Sequence, residues 1–230
     1  MRVRFAEKQG RACVIRLHSP AGHGHLRVTP MSLTRILSAA LACAAASLSA
    51  ESLFNGKDLS GWRKPAAEGF WKVEGGSLVG LNDPAFADYK KGSMLYTEKD
   101  YQDVVVECEV RFEGEIDSGI MVRRDAAGKK DIQMQIGVSR SLKKDMTCAF
   151  YIGKYPESGW APKVASLWKK GEWNRIRFQA KGDTYTVWLN GEQVSNYVDA
   201  GYPKAGPVGL QVHGGLKMRV EYRNVSAQAL

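Results

Sequence analysis

Histidine is scarce. The chain of 230 residues has four, and only His213 lies after residue 25. Cysteine is as rare, with Cys108 and Cys148 the pair beyond residue 50. A structural zinc site needs several Cys or His ligands, so this sequence is a poor fit to that class. No G-x-S-x-G, Walker A, H-E-x-x-H or dinucleotide fingerprint occurs, which removes the familiar hydrolase elbow, phosphate loop, metalloprotease and Rossmann readings. No pattern of residues points to a cofactor or metal, and calcium held by loop carboxylates and carbonyls leaves no readable pattern. A long 3.6-residue hydrophobic period is also missing after residue 51.

The formal net charge is +9, but it is unevenly placed. Residues 1–50 hold seven Lys and Arg against one acid, Glu7, leaving 26 basic and 23 acidic residues in 51–230. That near balance gives no electrostatic footprint for nucleic acid. The segment "MSLTRILSAALACAAASLSA", residues 31–50, has one positive residue, Arg35, then a short apolar run and small residues. This is the pattern of a secretory signal peptide, too short to span a bilayer stably. Residues 1–30 read as an over-called start before Met31. The expectation is a leader over 1–50 and one exported domain over 51–230, periplasmic or extracellular. A lipoprotein signal at "LAC" (Leu41 to Cys43) is the weaker alternative. Export permits a Cys108–Cys148 bridge, although two buried free thiols are the blander reading.

What fills the mature chain is alternation. "YQDVVVECEVRF" puts Val104, Val106, Cys108, Val110 and Phe112 on one face and Glu107, Glu109 and Arg111 on the other, a half-buried strand. "WNRIRFQAKGDTYTVWLNGEQV" reads as a three-stranded meander whose Asn190-Gly191 pair favours a type I′ turn. "FWKVEGGSLVGL" is a hairpin around Gly75-Gly76. Many short strands with glycine turns predict an all-β, antiparallel sandwich or barrel. The long non-alternating segment Gly153 to Glu172, with Trp160 and Trp168, predicts a functional loop.

Parity then sorts the strands, since side chains alternate across a sheet. It sends Ile120, Val122, Ile132, Met134, Ile136, Cys148, Phe150, Ile152, Leu210 and Val212 inward. The opposite face collects Arg123, Gln133, Gln135, Tyr151, Gln211 and His213. Amides, a phenol, a guanidinium and an imidazole suit sugar hydroxyls and ring faces. Trp160 and Trp168 in the long segment could cover a sugar, with Trp160 taken as the substrate contact, or could equally anchor the segment on the core. The bland alternative is a solvated sheet face, but such faces lean on Lys, Glu and Thr. His213 is either a packed, hydrogen-bonded ring or a general base, a role histidine can fill because an unperturbed imidazole titrates near neutral pH. Gly214-Gly215 beside it would let a ligand approach the backbone. No pair of facing acids for ordinary glycoside hydrolysis is evident.

An ordered set of motifs carries a resemblance. "SLFNGKDLSGW" (Ser52 to Trp62), "LYTEKDY" (Leu95 to Tyr101), "DSGIMVR" (Asp117 to Arg123), "GEWNRIRFQAKGDTYTVWLNGEQV" and "GLQVHGG…VEYRNV" resemble the 3-keto-disaccharide hydrolase family over nearly all of residues 52–228. The resemblance implies a concanavalin A-like, laminarinase-like jelly roll of two antiparallel sheets. It implies cleavage of glycosides already oxidised at sugar C3, in which a base removes the acidified C2 proton and the C1 aglycone is eliminated. On that reading His213 is the base, Arg123 stabilises the enolate, and Tyr151, Gln133, Gln135 and Gln211 orient hydroxyls. One departure stands out. Where many members read roughly "MEVQI", this chain reads "IQMQI", so Gln133 replaces a glutamate; Val138 stands near the place of a later aspartate. The alternative is therefore a non-catalytic carbohydrate-binding module on the same fold. The sugar, the linkage and the oligomeric state are not written in the sequence.

Overall fold

The computed structural model describes residues 49–230, so the expected leader lies, but for its last two residues, outside the described residues. The strands run in the order β1 (Glu51–Ser52), β2 (Trp71–Glu74), β3 (Ser77–Asn82), β4 (Gly92–Tyr101), β5 (Val104–Phe112), β6 (Asp117–Val122), β7 (Ile132–Ser139), β8 (Lys144–Asp145), β9 (Phe150–Tyr151), β10 (Asn174–Lys181), β11 (Thr184–Leu189), β12 (Glu192–Val198), β13 (Gly206–His213) and β14 (Met218–Ala229). They form two antiparallel sheets. The larger has the order β12-β11-β10-β5-β14-β3-β2, with β1 added to β14; the smaller has the order β4-β13-β6-β7-β8, with β9 on β7. This is a jelly-roll sandwich.

Local sequence explains the joins. The β11–β12 turn places Asn190 and Gly191 at φ 51° and 96°, the left-handed pair a type I′ hairpin requires. The alternation of β5 sends Val104, Val106, Cys108 and Val110 into the core, where they meet Ile120, Met134, Ile136, Leu210 and Val212 from the other sheet. Each such buried side chain contributes roughly 1.5–3 kcal/mol relative to exposure. Ile152, expected inward, lies past the end of β9 and packs only partly buried against the core.

Cys108 and Cys148 are both free and buried; burial pushes the Cys108 thiol up to about 12. The segment expected to be a long loop holds a 3₁₀ turn (Glu157–Gly159) and one helical turn (Val164–Leu167). Val164 is buried, and Trp168 packs on the core with its ring 5.0 Å from Phe112. Trp168 thus anchors this segment. On the outer face of the larger sheet, glutamates and arginines pair across strands: Glu107 with Arg175 and Arg177, Glu109 with Arg223, and Glu221 with Arg111 and Arg219.

Candidate functional site

The polar face of the smaller sheet is organised in rows across the strands. In one row Tyr151 pairs with Gln133, Gln133 with Met121, Met121 with Gly209, and Gly209 with Tyr96. The next row pairs Gln135 with Gly119, Gly119 with Gln211, and Gln211 with Met94. A third carries Asp117 opposite Gly137 and His213 opposite Gly92. Strand pairing therefore makes neighbours of the three glutamines, Tyr151 and His213.

Gly119 makes the amide cluster possible. A Cβ at that position would stand 2.6 Å from Gln133 Nε2 and 2.8 Å from its Cγ. The space left by the missing side chain lets Gln133 lean across β6. Its Nε2 donates to Gln135 Oε1 and to Gln211 Oε1, both at 2.9 Å. Gln135 Nε2 in turn donates to Asp117 Oδ1 at 2.9 Å, and the Arg140 backbone N–H donates to Asp117 Oδ2 at 3.2 Å. The chain of amides ends on a buried carboxylate, each of whose oxygens thereby accepts a hydrogen bond, as a buried charge requires.

His213 is held from both sides. Asn82 Nδ2, reaching from β3 in the other sheet, donates to the His213 carbonyl at 3.0 Å. The ring Nδ1 lies 2.8 Å from the Gly214 carbonyl oxygen. A carbonyl only accepts, so Nδ1 carries the proton and Nε2 holds the lone pair in the neutral ring. Nε2 lies 4.0 Å from Asp117 Oδ2, too far for a direct hydrogen bond. The ring is about two-fifths exposed. It is therefore neither sealed in the core nor free to swing.

These groups surround a cavity of about 240 Å³ lined by Asp117, Gln133, Gln135, Tyr151, Gln211 and His213, together with Ser139, Arg140, Ser141 and Tyr155. Tyr151 and Tyr155 pack ring to ring at 4.9 Å. Burial pushes the Tyr155 phenol up to about 12, which keeps it a proton donor. No group of three or more His, Cys, Asp or Glu among the described residues could hold a metal ion.

Two expected members are elsewhere. Arg123 does not reach this cavity. It follows the last residue of β6 with φ 58°, and that left-handed turn breaks the alternation on which its placement depended. Its side chain is 1% exposed. It donates to the Gln102 carbonyl (3.1 Å), the Gly182 carbonyl (2.6 Å) and Asp103 (2.7 Å), tying the β4–β5 turn to the β10–β11 turn. Trp160 lines a separate cavity with Lys144, Met146, Pro162 and Val164, and the Lys144 ammonium sits 4.5 Å from its ring. The glycines after His213 do not open the backbone to a ligand either: a Cβ on Gly214 would collide at 2.1 Å with the carbonyl oxygen of Lys90.

Asp117 and Arg140 are members that the sequence reading passed over. The signal for Asp117 was present, since it shares parity with Gly119 and Met121 at the first position of β6. Arg140 lies just past β7, where alternation gives no direction.

A family model described as the 3-keto-alpha-glucoside-1,2-lyase-like domain matches residues 49–228. The chain belongs to this family. None of the curated proteins matches it. Among solved structures, a candidate glycosyl hydrolase from Parabacteroides distasonis aligns with a TM-score of 0.60 and 21% identity, covering 80% of this chain and 95% of that one. The carbohydrate-binding module CBM66 from Bacillus subtilis aligns with a TM-score of 0.51 and 16% identity over 74% of this chain and 96% of its own. The Bacillus licheniformis beta-glucanase gives 0.53 and 12%, over 79% and 98%. These structures establish the jelly roll of this 3-keto-glucoside lyase-like domain.

Proposed function

We propose that the protein is an exported enzyme that cleaves 3-keto-glycosides, 3-keto-disaccharides among them, by abstraction of the C2 proton and elimination of the C1 substituent. The observation that carries this reading is the His213 ring, its Nδ1 fixed on the Gly214 carbonyl and its Nε2 turned to a cavity of amides, with the Asp117 carboxylate 4.0 Å away. Family membership supports the substrate class, and the leader pattern in residues 31–50 supports export.

In the proposed reaction Nε2 takes the C2 proton, and the C2–H electron pair forms the C2=C3 bond of the enolate. The C1–O bond then breaks as that pair moves to C1=C2 and the C3 carbonyl reforms. The departing oxygen takes the proton from the imidazolium, and water adds to the unsaturated sugar if hydrolysis is the outcome. The enolate oxygen needs a donor aimed where charge develops. Arg123 is too far away, so the role passes to the phenols of Tyr151 and Tyr155 and to Arg140, which line the cavity. Asp117 faces the positive charge that develops on the ring. Gln133, Gln135 and Gln211 hold hydroxyls.

Aglycone release from an aryl 3-keto-glucoside tests the proposal. The wild type turns it over, and His213→Gln loses roughly 10²–10⁴ of the rate, the usual contribution of a positioned base. Equal rates for the two would remove His213 from the mechanism. The competing reading, a binding module that does not cleave, is favoured by Gln133, whose amide is tied to two other amides and cannot exchange a proton. Binding of an unoxidised glycan in calorimetry, with no turnover of the ketone, would select it.

A further inference from the structure

Gln211 and His213 also line a second, larger compartment of about 490 Å³ on the β4 side of the same face. Its wall contains Arg63, Lys64, Lys90, Lys91 and Arg124, and no Asp or Glu among the described residues. Four of these cations have acidic partners: Asp100 for Arg63, Glu68 for Lys64, Asp88 for Lys91 and Asp131 for Arg124. None of those four carboxylates belongs to the compartment lining, whereas their basic partners do. The pairs of Arg63, Lys64 and Lys91 are largely exposed and hold little energy, which leaves a ligand anion free to compete for their cations. Among the described residues Lys90 has no acidic partner in an ion pair, in contrast to Lys91, which holds Asp88.

The connection to the amide cavity gives this compartment a meaning. A base that removes the C2 proton must sit beside C1, where the leaving group departs. The keto sugar then lies among the amides, and the group on C1 extends past His213 into the compartment that shares this residue. We infer that the leaving group of the preferred substrate carries a fixed negative charge, a carboxylate, sulfate or phosphate, held by the Arg63, Lys64, Lys90, Lys91 and Arg124 wall. The inference rests on the catalytic reading for the identity of the leaving group, but the charge preference of the compartment stands on its own.

Two isosteric pairs separate these claims. Calorimetry with 4-(carboxymethyl)phenyl glucoside and its neutral 4-(carbamoylmethyl)phenyl counterpart, both unoxidised and hence immune to elimination, reads the charge preference alone. The carboxylate is expected to bind about tenfold tighter. The preference should shrink between about 0.1 M and about 1 M salt, as the screening length falls from about 10 Å to about 3 Å. In the Lys90→Gln/Lys91→Gln double variant most of the preference disappears while the amide binds as before. Arg63→Gln, at an exposed side chain, reads the same effect should the double variant unfold early. Equal affinity for carboxylate and amide, or a full preference surviving in both variants, overturns the inference. The 3-keto forms of the same pair then test catalysis. A carboxylate preference in binding without turnover of either ketone keeps the charged wall and removes the enzyme. Turnover of both at one kcat/KM removes the charged leaving group and keeps the enzyme.

Discussion

Gly119→Ala is the sharpest test of how the amide cluster is built. The new methyl would stand 2.6 Å from Gln133 Nε2, 2.8 Å from its Cγ and 2.9 Å from its Cδ. The terminal amide can rotate away, but the Cγ contact forces the whole side chain to leave. Two neutral hydrogen bonds are then lost, at about 1 kcal/mol each, and residual crowding adds about 1 kcal/mol. The stiffer unfolded chain returns about 0.4–1 kcal/mol. The net loss is about 2 kcal/mol, or a Tm lower by about 4–8 °C for a domain of this size. A double-mutant cycle with Gln133→Ala isolates the cause. The three atoms nearest the methyl all belong to Gln133, so Gly119→Ala is expected to become nearly neutral once Gln133 is truncated. Thermal melts of the four proteins supply the numbers. Additivity within about 0.5 kcal/mol would refute the reasoning, because the clash and the network would then be unrelated.

Arg123→Met should lower stability by about 3 kcal/mol, since a buried guanidinium with four charge-assisted partners, the Tyr185 hydroxyl among them, is lost, yet leave aglycone release below the transition within about twofold; a large rate loss in a folded variant would restore Arg123 to the chemistry. Acid sensitivity follows from the outer face of the larger sheet. Arg175 and Arg177 outweigh the opposing effect of burial at Glu107, Arg111 and Arg219 do so at Glu221, and Arg223 holds Glu109 down, so all three carboxyls lie below their ordinary 4.5. Groups depressed in the folded state contribute stability that is present above 4.5 and lost as pH falls through the folded values. Tm should therefore fall below about pH 4.5, and Glu107→Gln/Glu109→Gln should flatten that fall while lowering Tm at pH 7. A profile unchanged by the double substitution contradicts the assignment.

The sandwich was legible because two-residue periodicity survives burial: the alternation of β5, β7 and β13 states which side chains meet in the core. The same count found Gln133, Gln135, Tyr151, Gln211 and His213, which are neighbours across β7, β9, β6 and β13. It failed at Arg123 because parity holds only while the backbone stays extended, and one left-handed residue after β6 turns the side chain into the join between two hairpins. It missed Arg140 for the related reason that residues beyond a strand end have no parity. Asp117 was readable, but its importance comes from Gln135 and His213, which lie far away in sequence. Trp160 was placed by residue type alone, and type does not say which cavity a loop residue lines.

The central claim is that His213 removes a proton from C2. A 3-keto-glucoside deuterated at C2 measures this directly. The wild type should release the aglycone more slowly than with the protiated substrate, or wash the label into solvent before release, and His213→Gln should do neither at a measurable rate. Release without isotope effect or label loss, or label loss undiminished in the His213→Gln protein, would contradict the account.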